Sequence, residues 1–181
     1  MNTNQNENLF RALNDLVETC KGGMKGYETA AESVNDPQLK AELSNLSQQR
    51  AQFVSELEDQ AQRFGISTQN ENTVEGVVLD AASAVHRGWI NLKTAITGNS
   101  NEAILNECEN GDAAALKAYE TALSTSGLPE EIRSIVEKQH SEILEAKNRL
   151  TTMKRSIWFK LHRIMKRAAL TAALFFKFVY G

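Results

Sequence analysis

The sequence lacks several features that define whole classes of proteins. Only two of its 181 residues are proline and ten are glycine, which excludes a collagen-like or proline-rich disordered chain. Two cysteines, Cys20 and Cys108, fit a reduced compartment better than a disulfide scaffold. The sequence has no run of the ~18–20 apolar residues that a spanning helix needs, and Met1–Phe10 has no apolar core of a signal peptide. We therefore expect a cytoplasmic protein.

Acidic residues are missing from the last 31 positions. Residues 151–181 carry seven Lys or Arg and no Asp or Glu, a charge of +7, whereas residues 1–150 carry 13 basic and 23 acidic residues, a charge of −10. The net charge of −3 therefore averages two unlike parts. The sequence predicts a globular domain over residues 1–150 and a basic C-terminal tail over residues 151–181.

Apolar residues recur at every third or fourth position through most of the chain, which predicts helices. Glycine, proline and polar loops divide the pattern into segments at about 9–34, 37–64, 74–96, 102–123 and from 129 onward. The first two and the last two segments form hairpins, and the middle segment is the crossover between them. We predict an all-α fold, a ferritin-like four-helix bundle with a crossover helix and a C-terminal basic amphipathic helix.

Several stretches also carry a family resemblance. Residues 84–93 read AVHRGWINLK, residues 103–112 read AILNECENGD and residues 115–119 read ALKAY, preceded by LNDL at 13–16 and RAQF at 50–53. Over about residues 7–150 the chain resembles an uncharacterised bacterial family of ferritin-like four-helix bundles, a domain of unknown function. The resemblance implies a fold and brings no established activity.

A ferritin-like fold raises the question of a di-iron centre. Such a centre takes Glu from two helices and a Glu-x-x-His pair from each of the other two. Glu137 and His140 have this spacing, but the matching stretch of the second helix, residues 49–52, reads QRAQ. We therefore expect a non-catalytic protein without a cofactor. The alternative is a ferritin-like metal-binding or oxidoreductase protein that holds iron through Glu107, Glu109, Asp112, Glu137 and His140.

Helical phase points instead to a buried ion pair. Arg50 falls within the apolar stripe of the second helix, and Glu109 and Asp112 fall within that of the fourth. A charge on a core stripe must be paired or reach water. We predict a pair of Arg50 with Glu109 or Asp112, with Gln139 nearby. The alternative is that Arg50 extends its charged end out of the bundle.

The tail has the pattern of a helix that lies in a membrane interface. Apolar residues occupy one face of its helical projection and basic residues the other, so we predict peripheral attachment to an anionic membrane surface, on the inner face of the membrane. One alternative is that the tail packs onto the bundle or onto another subunit of a homo-oligomer. Another is nucleic-acid binding, which would leave the apolar face without a role. The residues predicted to bind the membrane are Arg155, Trp158, Phe159, Lys160, Arg163, Lys166, Arg167, Phe175 and Phe176.

Overall fold

A computed structural model describes residues 3–66 and 100–180. This part of the chain contains four helices and no strand: α1 (Thr3–Ser33), α2 (Pro37–Arg63), α3 (Asn101–Leu123) and α4 (Glu130–Tyr180). The all-α prediction is confirmed for these residues. The crossover helix predicted at 74–96, with the HRGW stretch, lies outside the described residues.

Local sequence explains where α2 begins and ends. The Asp36 carboxylate accepts hydrogen bonds from the backbone N–H groups of Gln38 and Leu39, both at 2.9 Å, and Pro37 fills the first helical position. At the other end Gly65 adopts a left-handed φ of 69°, and the Ile66 N–H donates to the Ala61 carbonyl at 2.8 Å. Both ends of α2 are therefore capped by their own sequence.

Contacts between α1 and α3 give the relative direction of these helices. Cys20 contacts Tyr119 through its sulfur at 3.0 Å, and the Tyr27 hydroxyl reaches Asp112 at 2.7 Å. A later residue of α1 therefore meets an earlier residue of α3. The two helices are antiparallel neighbours.

The same comparison holds for α2 and α4. Glu42 accepts a hydrogen bond from Arg149 at 3.0 Å, and Glu56 accepts one from Gln139 at 2.9 Å, so these helices are also antiparallel. Since α1 and α2 form a hairpin, α2 and α3 run parallel at opposite corners of the bundle. The end of α2 and the beginning of α3 consequently lie at opposite ends of the bundle.

The buried side chains form two apolar clusters that follow one another along the bundle. The first contains Leu9 to Cys20 of α1 with Phe53, Tyr119 and Ile132, and the second contains Tyr27 to Val34 with Leu43. Between them, α2 contributes Arg50 and α3 contributes Asp112, both buried. The fold thus places one charged layer between two apolar ones.

The last helix continues past the bundle. Met153 and Ile157 still pack against the second apolar cluster, but the side chains described from Trp158 to Thr171 are all exposed, as is Phe175. Contacts with the bundle therefore extend beyond residue 150, and the division into domains at that residue stays a prediction. Residues 158–180 project by roughly 34 Å at 1.5 Å per residue.

Candidate functional site

The central feature of the bundle is a buried charged layer formed by Arg50, Asp112 and Tyr27. Arg50 Nη2 donates to Asp112 Oδ1 at 3.0 Å, and the Tyr27 hydroxyl donates to Asp112 Oδ2 at 2.7 Å. Only 2% of each charged side chain is exposed. Each oxygen of the Asp112 carboxylate therefore has its own donor, which a buried charge requires.

The remaining contacts of Arg50 fix its side chain across the core. Nη1 donates to Gln49 Oε1 at 2.8 Å, and the guanidinium carbon lies 5.6 Å from the ring centre of Tyr27 and 5.4 Å from that of Phe53. A Cβ at Gly23 would lie 3.4 Å from Arg50 Cγ, so the missing side chain leaves room for the arginine stem. The two rings and the small residue together form a slot for one arginine.

The electrostatics of this layer favour the charged form of Arg50 and the protonated hydroxyl of Tyr27. Burial lowers the pKa of Arg50, but the negative charge of Asp112 acts with the hydrogen bond to Asp112 and the neighbouring Tyr27 and Cys20 to raise that pKa overall. Burial raises the pKa of Asp112, while the Arg50 charge and the hydrogen bond from Tyr27 act against this rise. Burial and the nearby Asp112 charge raise the pKa of Tyr27 well above its ordinary value, so its hydroxyl remains a donor.

A second polar cluster, the Tyr119 cluster, lies one layer further along the bundle and consists of Cys20, Glu56, Tyr119 and Gln139. The Tyr119 hydroxyl donates to Gln139 Oε1 at 2.7 Å, and Gln139 Nε2 donates to Glu56 Oε2 at 2.9 Å. The Cys20 sulfur lies 3.0 Å from the Tyr119 oxygen. All four helices contribute one side chain to this cluster, which ties them together at one level.

The two cysteines are chemically passive in this setting. Burial raises the pKa of Cys20 to about 11, and burial together with the Asp112 charge raises the pKa of Cys108 well above its ordinary value. Nucleophilic and metal-binding chemistry requires the thiolate. Both side chains therefore act as small core residues.

Arg50 pairs with Asp112, one of the two partners predicted for it, and Glu109 binds elsewhere. It binds Lys154 in a close ion pair and accepts a hydrogen bond from Thr151 at 2.6 Å, so it joins α3 to α4 near the end of the bundle. Of the two carboxylates considered, Asp112 is the one beside Arg50. Gln139 lies in the Tyr119 cluster, and its hydrogen bonds go to that cluster and to the Phe53 carbonyl at 3.5 Å.

The alternative iron ligands do not share one place. Glu137 is exposed, and His140 Nε2 lies 3.8 Å from Glu120 Oε1 at the bundle periphery. Glu109 and Asp112 are engaged by Lys154 and Arg50, and Glu107 is half-buried elsewhere on α3. Within residues 3–66 and 100–180, no three His, Cys, Asp or Glu side chains are grouped so that they could hold a metal ion.

The exposed part of α4, residues 158–175, is a second candidate site. Its large apolar side chains are 50–68% exposed, and exposed cations lie between them. The described members of the predicted membrane set are Arg155, just before this part of the helix, and Trp158, Phe159, Lys160, Arg163, Lys166, Arg167 and Phe175 within it. Trp158 stacks on His162 with ring centres 5.1 Å apart. The side chain of Phe176 lies outside the described residues.

The tyrosines are what sequence reasoning missed. Tyr27 lies within the apolar stripe of α1, and Tyr119 lies seven residues after Asp112 on α3. A buried tyrosine hydroxyl usually finds a partner, and seven residues are two helical turns on one face. These two rules indicate a polar neighbour for each hydroxyl, but neither identifies the neighbour on another helix.

The described residues therefore define an all-α helical bundle with a structural charge pair in its core. Residues 8–125 match the model of a family described as Domain of unknown function (DUF2383), and because this match covers more than half of the chain, the chain belongs to that family. The match ends before α4 begins at Glu130, earlier than the resemblance over residues 7–150 predicts. No curated protein matches the chain.

Proposed function

We propose that the protein is a non-catalytic helical bundle that attaches peripherally to an anionic membrane surface through residues 158–180 of α4. The observation that carries the proposal is the exposure of large apolar side chains, including Trp158 and Phe175, on a helical segment that contains no acidic residue. Monomeric soluble proteins rarely leave such a surface uncovered.

Charge supplies the first half of the attraction. Lys160, Arg163, Lys166 and Arg167 are exposed, and each cation near an anionic leaflet contributes ~1 kcal/mol. The body of the protein, at −10 over residues 1–150, is repelled by the same surface. This split favours binding through the exposed part of α4 and disfavours binding through the bundle.

Apolar burial supplies the second half. Stable peripheral attachment generally needs two signals, and a basic patch together with inserted apolar side chains provides them. No helix in the described residues combines the length and the apolar character needed to cross a membrane. The proposal is accordingly partial insertion into one leaflet, the cytoplasmic one, which carries the anionic lipids.

We also propose that the bundle is ferritin-like. Parallel α2 and α3 at opposite corners support it, because the end of α2 and the beginning of α3 then lie at opposite ends of the bundle, about 40 Å apart for a helix the length of α2. Two hairpins joined by one long crossover are the connectivity of that fold.

Sedimentation with lipid vesicles tests the membrane proposal. The full chain should pellet with phosphatidylserine-containing vesicles at low salt and remain in the supernatant with neutral ones. Changing Lys160, Arg163 and Lys166 to Gln removes about 3 kcal/mol of attraction, which corresponds to roughly hundredfold weaker binding. The matched control changes the exposed body residues Arg11, Arg63 and Lys117 to Gln, which lie away from the end where α4 leaves the bundle, and should bind like the wild type.

Three results would contradict the proposal: equal loss of binding in both triple variants, equal binding to neutral vesicles, or no binding by the full chain. Sedimentation velocity without lipid tests the alternative, in which two copies of the chain cover each other's exposed apolar face. A dimer that disappears when Trp158, Ile164 and Met165 are changed to Ser would identify a second copy of this chain as the partner of the exposed face.

A further inference from the structure

The exposed apolar face of α4 continues the core stripe of the same helix. Core residues recur along α4 at alternating steps of four and three, from Ile132 through Leu150 to the partly buried Ile157. Ile164 follows Ile157 by two helical turns and Phe175 by five, so both lie on the same face. That face is turned toward the other helices along the bundle and toward open space beyond it.

Because the core stripe and the exposed apolar residues share one face of α4, the bundle lies on the same side of the helix that would meet the lipid. Helices pack with axes about 8–10 Å apart, and an interfacial helix sinks only about 5–10 Å into the membrane. If α4 lay flat with its apolar face down, α2 and α3 would be forced into the same depth. Both carry exposed charges there, such as Lys40 and Glu102.

The helix offers no place to bend away from this conflict. Residues 130–180 contain neither glycine nor proline, and sharp kinks almost always need one of these or a disrupted hydrogen-bond ladder. The structure has one continuous helix from Glu130 to Tyr180. Flat attachment and a straight α4 are therefore incompatible.

We infer that α4 enters the membrane obliquely, its C-terminal turns first, and that the bundle end formed by the α1–α2 turn and the beginning of α3 faces the lipid. This inference rests on the proposed membrane attachment. Val34 and Leu39, beside the turn, share a cluster with Leu150 and Ile157, so this end lies where α4 leaves the bundle.

The oblique entry matches the order of residues along α4. The cations between Lys160 and Arg167 come first and lie at headgroup level. Residues 168–180 follow with one charge, Lys177. They span roughly 20 Å as a helix, and a tilted helix of that length fits within one leaflet of a ~30 Å hydrocarbon core.

Energy transfer from two positions to the membrane surface tests the orientation. Asn35→Cys places a donor dye on the α1–α2 turn, and Ser126→Cys places it at the opposite end, with both positions exposed. The native thiols are buried and remain unlabelled. With acceptor-labelled lipid in phosphatidylserine vesicles, the dye at position 35 should transfer several-fold more efficiently than the dye at position 126.

The outcomes separate this inference from the proposal beneath it. Equal transfer from both positions by protein that pellets with the vesicles means flat attachment and overturns the inference while binding stands. Stronger transfer from position 126 also overturns it, because the other end then faces the lipid. Failure of the labelled and unlabelled full chains to pellet overturns the membrane attachment itself.

Discussion

Arg50 is the residue whose replacement tests the charged layer most directly. Arg50→Met removes the guanidinium and leaves the buried Asp112 with the Tyr27 hydroxyl as its remaining hydrogen-bond partner among the described residues. Breaking a buried pair from one side costs about 3–5 kcal/mol because an uncompensated charge remains. We expect a loss of this size in the free energy of unfolding, measured by urea titration.

The double variant Arg50→Met, Asp112→Asn separates the unpaired charge from the lost packing. Asparagine keeps the size of Asp112 and an oxygen for Tyr27 but carries no charge, so the double variant should be more stable than Arg50→Met alone. A double variant as unstable as the single one would mean that the arginine stem, packed beside Gly23, matters more than its charge.

The thiols provide an independent test at the residue scale. With the pKa of Cys20 raised by burial to about 11 and that of Cys108 raised well above its ordinary value, neither forms thiolate near neutral pH. We expect no alkylation of the folded chain by iodoacetamide and two modifications in urea, counted by mass spectrometry. Asn35→Cys is the positive control, and rapid native modification of Cys20 or Cys108 would contradict their burial.

The charged layer was predictable from the sequence, but the pairing of its groups was not. The position of Arg50 in an apolar stripe predicts a partner, because an unpaired buried charge is too costly. It could not choose between Glu109 and Asp112, which lie three residues apart on one face of α3. The choice depends on how far α2 is shifted along its axis relative to α3. In the structure Lys154 binds Glu109, and the Tyr27 hydroxyl binds Asp112.

At the scale of the helices, the pair of Glu109 and Lys154 joins α3 to α4 and makes the stability depend on pH. Burial alone would raise the pKa of Glu109, but the hydrogen bonds from Lys154 and Thr151 lower it below its ordinary value of 4.5. Since the folded pKa lies below the unfolded one, this carboxylate stabilises the fold above that value. The contribution is lost as the pH falls through the lowered folded pKa.

Lys154→Met should therefore destabilise the protein near neutral pH and have less effect in acid. We expect the difference in urea midpoint between wild type and variant to be largest at about pH 7 and to shrink below about pH 4, near the ordinary glutamate pKa. Lys160→Met, on the exposed part of α4, is the control and should leave the urea midpoint unchanged both at about pH 7 and below about pH 4. A constant difference at all pH values would assign the effect of Lys154 to packing.

The boundaries of α2 were predictable because they depend on local chemistry, whereas α1 begins at Thr3, before the predicted start at about residue 9. The start of α2 is set by Asp36 and Pro37, and its end at Arg63 is set by Gly65 two residues later. The point where α4 leaves the bundle was not predictable in this way. The charge change begins at residue 151, but Met153 and Ile157 still pack against the second apolar cluster, to which α1, α2 and α3 all contribute.

At the scale of the whole molecule, two truncations test whether α4 has one part that stabilises the bundle and one that does not. Deleting residues 158–181 removes no buried side chain among those described, so the free energy of unfolding should change by no more than about 0.5 kcal/mol. Deleting residues 151–181 also removes Met153, Ile157 and the Lys154 pair and should cost at least about 2 kcal/mol. Urea unfolding of both proteins, followed by circular dichroism, measures the difference. Equal destabilisation by the two deletions would mean that the segment beyond Ile157 packs on the bundle in solution, and the apolar face would then have its partner within the same chain.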